Sequence, residues 1–235
     1  NSSIHILEAL TSLYHIWPDE LVKERLEEMF HVVRDIMVTD PGYLLLYFTA
    51  DWTPVTGNTL DEIAGEELWY TSHVTFGHDI ETSYLLFEAA EALENHDERT
   101  VKVIKQLTDH TLMKGWDKEN GGIFDKGKYM KPDSMVIIDE KKAWWGEIEA
   151  LNSMLLLHSL YPEDEMDYYS YFLKQWDFLN TYQIDHEYGG WYNGSLDTNP
   201  RSKMANKAHP WKTTYHNSRG MVNCINILRK LGNAD

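Results

Sequence analysis

Apolar residues recur along this chain at helical spacing. Between Glu20 and Val38, the residues Leu21, Val22, Leu26, Met29, Phe30, Val33 and Met37 keep a period near 3.6. Pro18 and Asp19 stand in front of them as a start signal. Thr100 to Met113 and Met166 to Leu179 read the same way. Two further stripes, Ile80-Tyr84-Leu85-Phe87 and Ile148-Leu151-Leu155-Leu156, predict helices that open on polar residues. Tyr43 to Phe48 is the segment expected to form a strand.

The polar openings repeat. His5-Ile6-Leu7-Glu8 and His78-Asp79-Ile80-Glu81 share the form His-x-x-Glu. Gly146-Glu147-Ile148-Glu149 keeps the Glu, and His216-Asn217-Ser218-Arg219 keeps the His. Their starts lie 73, 68 and 70 residues apart. A second repeat, Asp-x-Glu-x-Gly-Gly and two bulky residues, runs from Asp117 to Phe124 and again from Asp185 to Tyr192, offset by 68. Gly-Gly permits a tight turn with positive φ, and the bulky pair suits a short strand.

Each unit of about 70 residues is therefore a helix, a second helix and a strand-bearing loop. A helical hairpin cannot bury both faces alone, so such units stack or close. The expectation is an all-α fold: a single domain, 1–235, of three to four hairpins of an (α/α)6 barrel, with short β-hairpins in its loops. Six hairpins would close the ring, and this chain holds about 3.4 units. It does not begin with Met and opens directly into a patterned segment, so an N-terminally truncated portion of the toroid is expected. If the His-x-x-Glu motifs open the inner helices, then His5, His78 and His216 meet at one mouth with Glu8, Glu81, Glu149 and Arg219. Free N–H groups at those helix starts suit sugar oxygens.

Composition narrows the chemistry. A net charge of −17 disfavours a nucleic-acid surface and fits a neutral substrate. No run approaches ~18 apolar residues, so no membrane span is expected. No signal peptide is seen, and one cysteine, Cys224, fits a reducing, cytoplasmic setting. Nine Trp and 14 Tyr suit stacking on sugar faces.

Four stretches carry a resemblance. They are Asn1 to Ala9, Phe76-Gly77-His78-Asp79-Ile80-Glu81, Lys142-Ala143-Trp144-Trp145 through Glu149-Ala150, and Trp211 through Tyr215-His216-Asn217-Ser218-Arg219. Together they resemble the N-acylglucosamine 2-epimerase family, most closely its cellobiose 2-epimerase branch. The resemblance implies an (α/α)6 barrel and epimerisation at C2 of a reducing-end sugar without a cofactor or metal. It implies that His78 and His216 move the C2 proton, that His5 assists ring opening or holds the substrate, and that Glu81 orients a histidine. It further implies sugar contacts from Trp211 and one of Trp144 and Trp145, with Asn1, Glu149, Asn217 and Arg219 on the hydroxyls. A disaccharide would be the substrate, and the protein a monomer. Ser3 stands where family members often have another His, and Gly146-Glu147 replaces the usual Pro-Gln. The family's N-terminal portion, with a site Arg and Tyr, has no counterpart here, so this stretch is expected to be inactive alone.

The chemistry asks for histidine. A C2 proton beside an aldehyde is weakly acidic, and imidazole reaches both protonation states near neutrality. Two bases facing each other across C2 permit inversion, whereas one face alone returns the proton or gives a ketose. Alternatives stay open at this point. A histidine at a helix start is often a cap or a packed residue. His-x-x-Glu also offers zinc ligands, although no His-Glu-x-x-His or Cys pair supports a metal. An aldose–ketose isomerase or an N-acylglucosamine 2-epimerase would share the enediolate. A glycoside hydrolase on the same barrel would need two opposed carboxylates from Asp79, Glu81, Glu147 and Glu149. A sugar-binding module would leave three aligned histidines unexplained.

Overall fold

Three aspartates start the outer helices. Asp19, Asp97 and Asp167 each accept a hydrogen bond from a backbone N–H two or three residues ahead, at Leu21, Thr100 and Ser170. They open α2 (Glu20–His31), α4 (Glu98–Lys114) and α6 (Tyr168–Phe178). The remaining helices are α1 (Ser2–Ile16), α3 (Phe76–Leu93), α5 (Trp144–Leu160) and α7 (Tyr215–Gly232), and none has a side-chain cap. The computed structural model describes residues 1–55, 73–131 and 133–233.

The helices pair as α1 with α2, α3 with α4 and α5 with α6, and α7 follows alone. The uncapped helices form an inner arc in the order α1, α3, α5, α7, with the capped ones outside it. Between the layers lies an apolar core that includes Leu7, Phe30, Ile80, Leu107 and Phe178. α3 has no exposed large apolar residue and α5 only Leu160, near its end. α1 and α7, at the two ends of the arc, expose Ile6 and Ile16, and Val222, Ile225 and Leu228. That contrast follows from having an inner neighbour on two sides or on one. Buried hydroxyls fasten neighbouring helices: Ser83 donates to Ile104 O at 2.8 Å, and Ser153 to Ile80 O at 2.7 Å.

A three-stranded antiparallel sheet stands on the links between helices. β1 (His73–Thr75) runs directly into α3. β2 (Lys126–Lys131) pairs with it, His73 opposite Lys128, and also with β3 (Ser134–Asp139), Gly127 opposite Ile137. β2 and β3 lie between α4 and α5.

The expected strand at Tyr43–Phe48 does not form; single bridges, Val38 with Leu44 and Phe48 with Pro54, take its place. Those contacts reveal a third copy of the loop repeat. Each outer helix leads into a tight loop closed by one antiparallel bridge: Val38–Leu44, Trp116–Ile123 and Ile184–Trp191. The two Gly-Gly copies share a hydrogen-bond pattern. Asp117 N donates to Gly122 O and Gly121 N to Asp117 O, and Asp185, Gly189 and Gly190 repeat it. In the first copy Thr39 N donates to Tyr43 O and Gly42 N to Thr39 O, one residue shorter. The backbone of Leu44 then donates to Asp79 Oδ1 at 2.9 Å, which ties this segment to α3 rather than to a sheet.

Candidate active site

All four inner helices begin at the same end of the arc, and their first two turns carry the repeated motifs. With no side-chain caps, the first N–H groups of these helices stay available there. His5 comes from α1, His78 and Glu81 from α3, Trp145 and Glu149 from α5, and His216 and Arg219 from α7.

Arg219 is the hub. Its Nη2 donates to Glu81 Oε1 at 2.7 Å and to Glu149 Oε1 at 2.6 Å. Its Nη1 donates to Glu8 Oε1 and to the Tyr215 hydroxyl, both at 2.5 Å. One guanidinium thus ties three inner helices to the fourth, in the forked geometry that suits Arg and not Lys. Glu81 and Glu149 are both 0% exposed. Burial, with Glu149 alongside, pushes the Glu81 carboxyl up to about 7. Glu8 goes the other way: its bonds from His5, Tyr215 and Arg219 outweigh burial and hold it at about 2.

The histidines differ in what stands behind them. His216 Nδ1 lies 2.8 Å from Glu149 Oε1 and 3.7 Å from Glu81 Oε1. His5 Nδ1 lies 3.1 Å from Glu8 Oε2. Among the described residues no such carboxylate backs His78, and burial, together with the neighbouring His5 and His216, pulls its pKa down to about 3. The Trp145 indole stands against both His78 and His216, with ring centroids 4.7 and 5.8 Å away. Gly77 makes this possible, because a Cβ there would sit 2.6 Å from the Trp145 ring. The glycine beside the histidine is a seat for the indole.

The other expected site residues take these places. Glu149 is 0% exposed, with its Oε1 on His216 Nδ1 and Arg219 Nη2. Trp144 is buried, boxed by His209 at 5.4 Å and by the Lys212 ammonium at 5.0 Å. It is packing, which leaves Trp145 as the member of the pair that meets the histidines. Trp211 is 84% exposed on the turn before α7, where its N–H donates to His209 Nδ1. Asn217 lines a cavity of about 330 Å³ with Trp191, Lys207 and Lys212. Asn1 is exposed, and its carbonyl accepts from His5 N.

Sequence reasoning left Tyr215 and two buried lysines without roles. Tyr215 donates to Glu8 Oε2 and sets its ring 4.5 Å from His216. Lys142 is 0% exposed and donates to Asp117 Oδ2, Gly121 O and Asp197 Oδ2. Lys212 donates to the carbonyls of Trp191 and Tyr192. The lysines' partners lie some 20 to 55 residues away in sequence and that of Tyr215 lies 207 away, so only the adjacency of Tyr215 to His216 and of Lys142 to Trp144 could have drawn attention to them. As for a metal, the described residues bring Glu81, Glu149 and His216 within 4.8 Å, and not the three histidines. The Arg219 guanidinium already bonds both of those carboxylates, so a cation there would have to displace it.

Among the described residues no helix is long and apolar enough to cross a membrane. The sequence model of the family described as N-acylglucosamine 2-epimerase (GlcNAc 2-epimerase) matches residues 1–219. A curated cellobiose 2-epimerase from Dictyoglomus turgidum is 25% identical over 233 residues, covering 98% of this chain and 53% of the relative. The solved structure of cellobiose 2-epimerase from Bacillus thermoamylovorans superposes with a TM-score of 0.77 at 24% identity, over 97% of this chain and 52% of that one. A D-mannose isomerase structure gives 0.75 at 24% identity, over 98% and 54%. The chain spans about half the length of the curated relatives it matches, and the architecture is a partial (α/α)6 toroid with a small antiparallel sheet.

Proposed function

The chain belongs to the N-acylglucosamine 2-epimerase family, and on that premise we propose that it serves a cellobiose 2-epimerase-like reaction. The substrate is a β-1,4-linked disaccharide, and the reaction interconverts its reducing-end glucose and mannose units. One observation carries the reading: the imidazoles of His78 and His216 stand against one indole, and of the two only His216 is backed by a carboxylate among the described residues.

A sugar lying on Trp145 would then have an imidazole at each side. In the open-chain form, neutral His78 takes the C2 proton. The C–H electron pair becomes the C1–C2 double bond of an enediolate, with negative charge on O1. His216, held at Nδ1 by Glu149, returns a proton to C2 from the other face, and the C1 carbonyl re-forms. The reverse substrate exchanges the two roles. Arg219 holds Glu81 and Glu149 in place, and Glu81 acts through that network rather than on the sugar.

Burial also bears on the hydrolase alternative. Asp79, Glu81, Glu147 and Glu149 are all 0% exposed, so none of the carboxylates such a reaction would recruit faces the substrate. The likeness to a D-mannose isomerase keeps ketose formation as the outcome to exclude. The protein incubated with cellobiose in D₂O should yield its mannose-ended epimer carrying deuterium at C2. Released monosaccharide, or a ketose in place of the epimer, would overturn the reading. His78→Ala and His216→Ala should each lower kcat by about 10²-fold or more.

A further inference from the structure

The two buried lysines are neutralised differently. Lys142 lies between the carboxylates of Asp117 and Asp197. Lys212, on the turn that leads into α7, is 6% exposed and has only carbonyls and a ring around its ammonium. It donates to Trp191 O at 2.6 Å and Tyr192 O at 2.9 Å and lies 5.0 Å over the Trp144 ring. Among the described residues it forms no ion pair, and the charge beside it is another cation. Burial and Lys207 lower its pKa to about 8, so it is ionised at neutral pH. A buried charge without a counter-charge is costly to keep.

Lys212 lines the cavity of about 330 Å³ that Asn217 also lines. Thr213, Thr214 and Ser218, from the start of α7, complete that wall. They present donors. α7 has no side-chain cap, so its first amides remain available. Thr213 Oγ1 accepts from Tyr215 N at 3.3 Å, which leaves its own hydrogen to give. Asn217 Nδ2 is buried and, among the described residues, has no acceptor. Lys207, on the opposite side of the sequence motif, is committed to Asp185 and to Gly189 O. Asp185 answers Lys207, and the charge of Lys212 is left over.

We propose that this cavity binds the phosphate group of a small metabolite, with Lys212 as the charge that holds it. An ammonium without a counter-ion, an uncapped helix start and an unused amide donor all border one volume. A tetrahedral oxyanion has acceptors for each of them, and its charge is the one Lys212 lacks. About 330 Å³ is within the range of small-molecule sites, so there is room for an organic body beside Trp191. The proposal assumes nothing about the C2 reaction.

Inorganic phosphate is the probe. It is titrated into the ¹⁵N-labelled protein at fixed ionic strength, with chloride as the balancing anion, and the amide shifts are followed by NMR. Phosphate should give saturable shifts at Thr213, Thr214, Asn217 and Ser218. Lys212→Met should weaken binding by about 10-fold or more, as expected for a lost charge-assisted hydrogen bond. Lys207→Met leaves Asp185 unanswered and should weaken binding as well, without touching the carbonyls that Lys212 holds. Lys203→Met removes an exposed cation outside the cavity and should change nothing. Shifts absent from the start of α7, or an affinity that Lys203→Met lowers as much as Lys212→Met does, overturn the proposal. If Lys212→Met fails to fold, an unchanged affinity in Lys207→Met overturns it.

Discussion

Two glutamates two residues apart illustrate how position decides what a carboxyl does. Glu149 turns inward to His216 and Arg219. Glu147 turns outward, where it accepts from Ile123 N at 3.2 Å and from Gln175 Nε2 at 2.8 Å. Burial pushes its carboxyl up to about 8 from an ordinary value of 4.5. Ionisation is therefore harder in the fold than in the unfolded chain. Its stabilising contribution is complete below about pH 4.5 and is lost as pH rises through about 8. Glu147→Gln keeps an acceptor for Ile123 and removes the ionisation. Its melting temperature should fall less between pH 5 and 8 than that of the wild-type protein; parallel profiles would contradict the assignment. At this scale His5, His78, His216 and their glutamates were legible, because His-x-x-Glu puts both side chains on one helical face. The division of roles between the glutamates was not, since it depends on which neighbour each one meets. That Glu147 and Glu149 do not face each other follows from i,i+2 spacing alone.

The recurring element is the loop after each outer helix. In the second copy Gly121 and Gly122 both take φ of +81°, and a Cβ on Gly122 would lie 2.8 Å from the Phe178 ring and 3.0 Å from Glu147 Oε2. In the third copy Gly189 takes φ of +73°, with nothing within 4 Å of a Cβ. Gly189→Ala should cost about 1–2 kcal/mol, the left-handed backbone penalty alone. Gly122→Ala should cost about 1–3 kcal/mol more, because it also overpacks. Chemical denaturation of both variants measures the difference, and equal losses would refute the crowding argument. Two copies were legible from the shared Asp-x-Glu-x-Gly-Gly. The first, Thr39 to Tyr43, was hidden because it is a residue shorter and has a single glycine. Its apolar tail then read as a strand, whereas Asp79 fastens it to α3 instead. The partition of helices into capped and uncapped sets is likewise written in three aspartates, of which Asp19 alone follows a Pro that marks the start.

For the molecule as a whole, Lys142 is the knot. Its ammonium joins Asp117 and Gly121 of one loop to Asp197 of the next, and sits 4.7 Å over the Phe178 ring at the end of α6. The two carboxylates are left without it if the side chain is changed to an apolar one of similar length. Lys142→Met should lower stability by about 3–5 kcal/mol in denaturant titrations. A loss under 1 kcal/mol would mean that the cluster relaxes into water. The arc of hairpins was legible from a 70-residue period, because stacked units must share one interface chemistry. The sheet's third strand was not, since His73–Thr75 is too short to carry an alternating pattern. Nor could the sequence say that one guanidinium would bind the arc's first helix to its last. Glu8 meets Tyr215 and Arg219 across 207 and 211 residues of chain. On a ribosome adding about 5–20 residues per second, Glu8 emerges on the order of ten to forty seconds before Tyr215. During that interval His5 and Glu8 exist without the donors that arrange them. The bracing of Glu8 is thus acquired late in synthesis, and a polypeptide released before Tyr215 is added carries His5 and Glu8 without the two donors that hold the carboxylate.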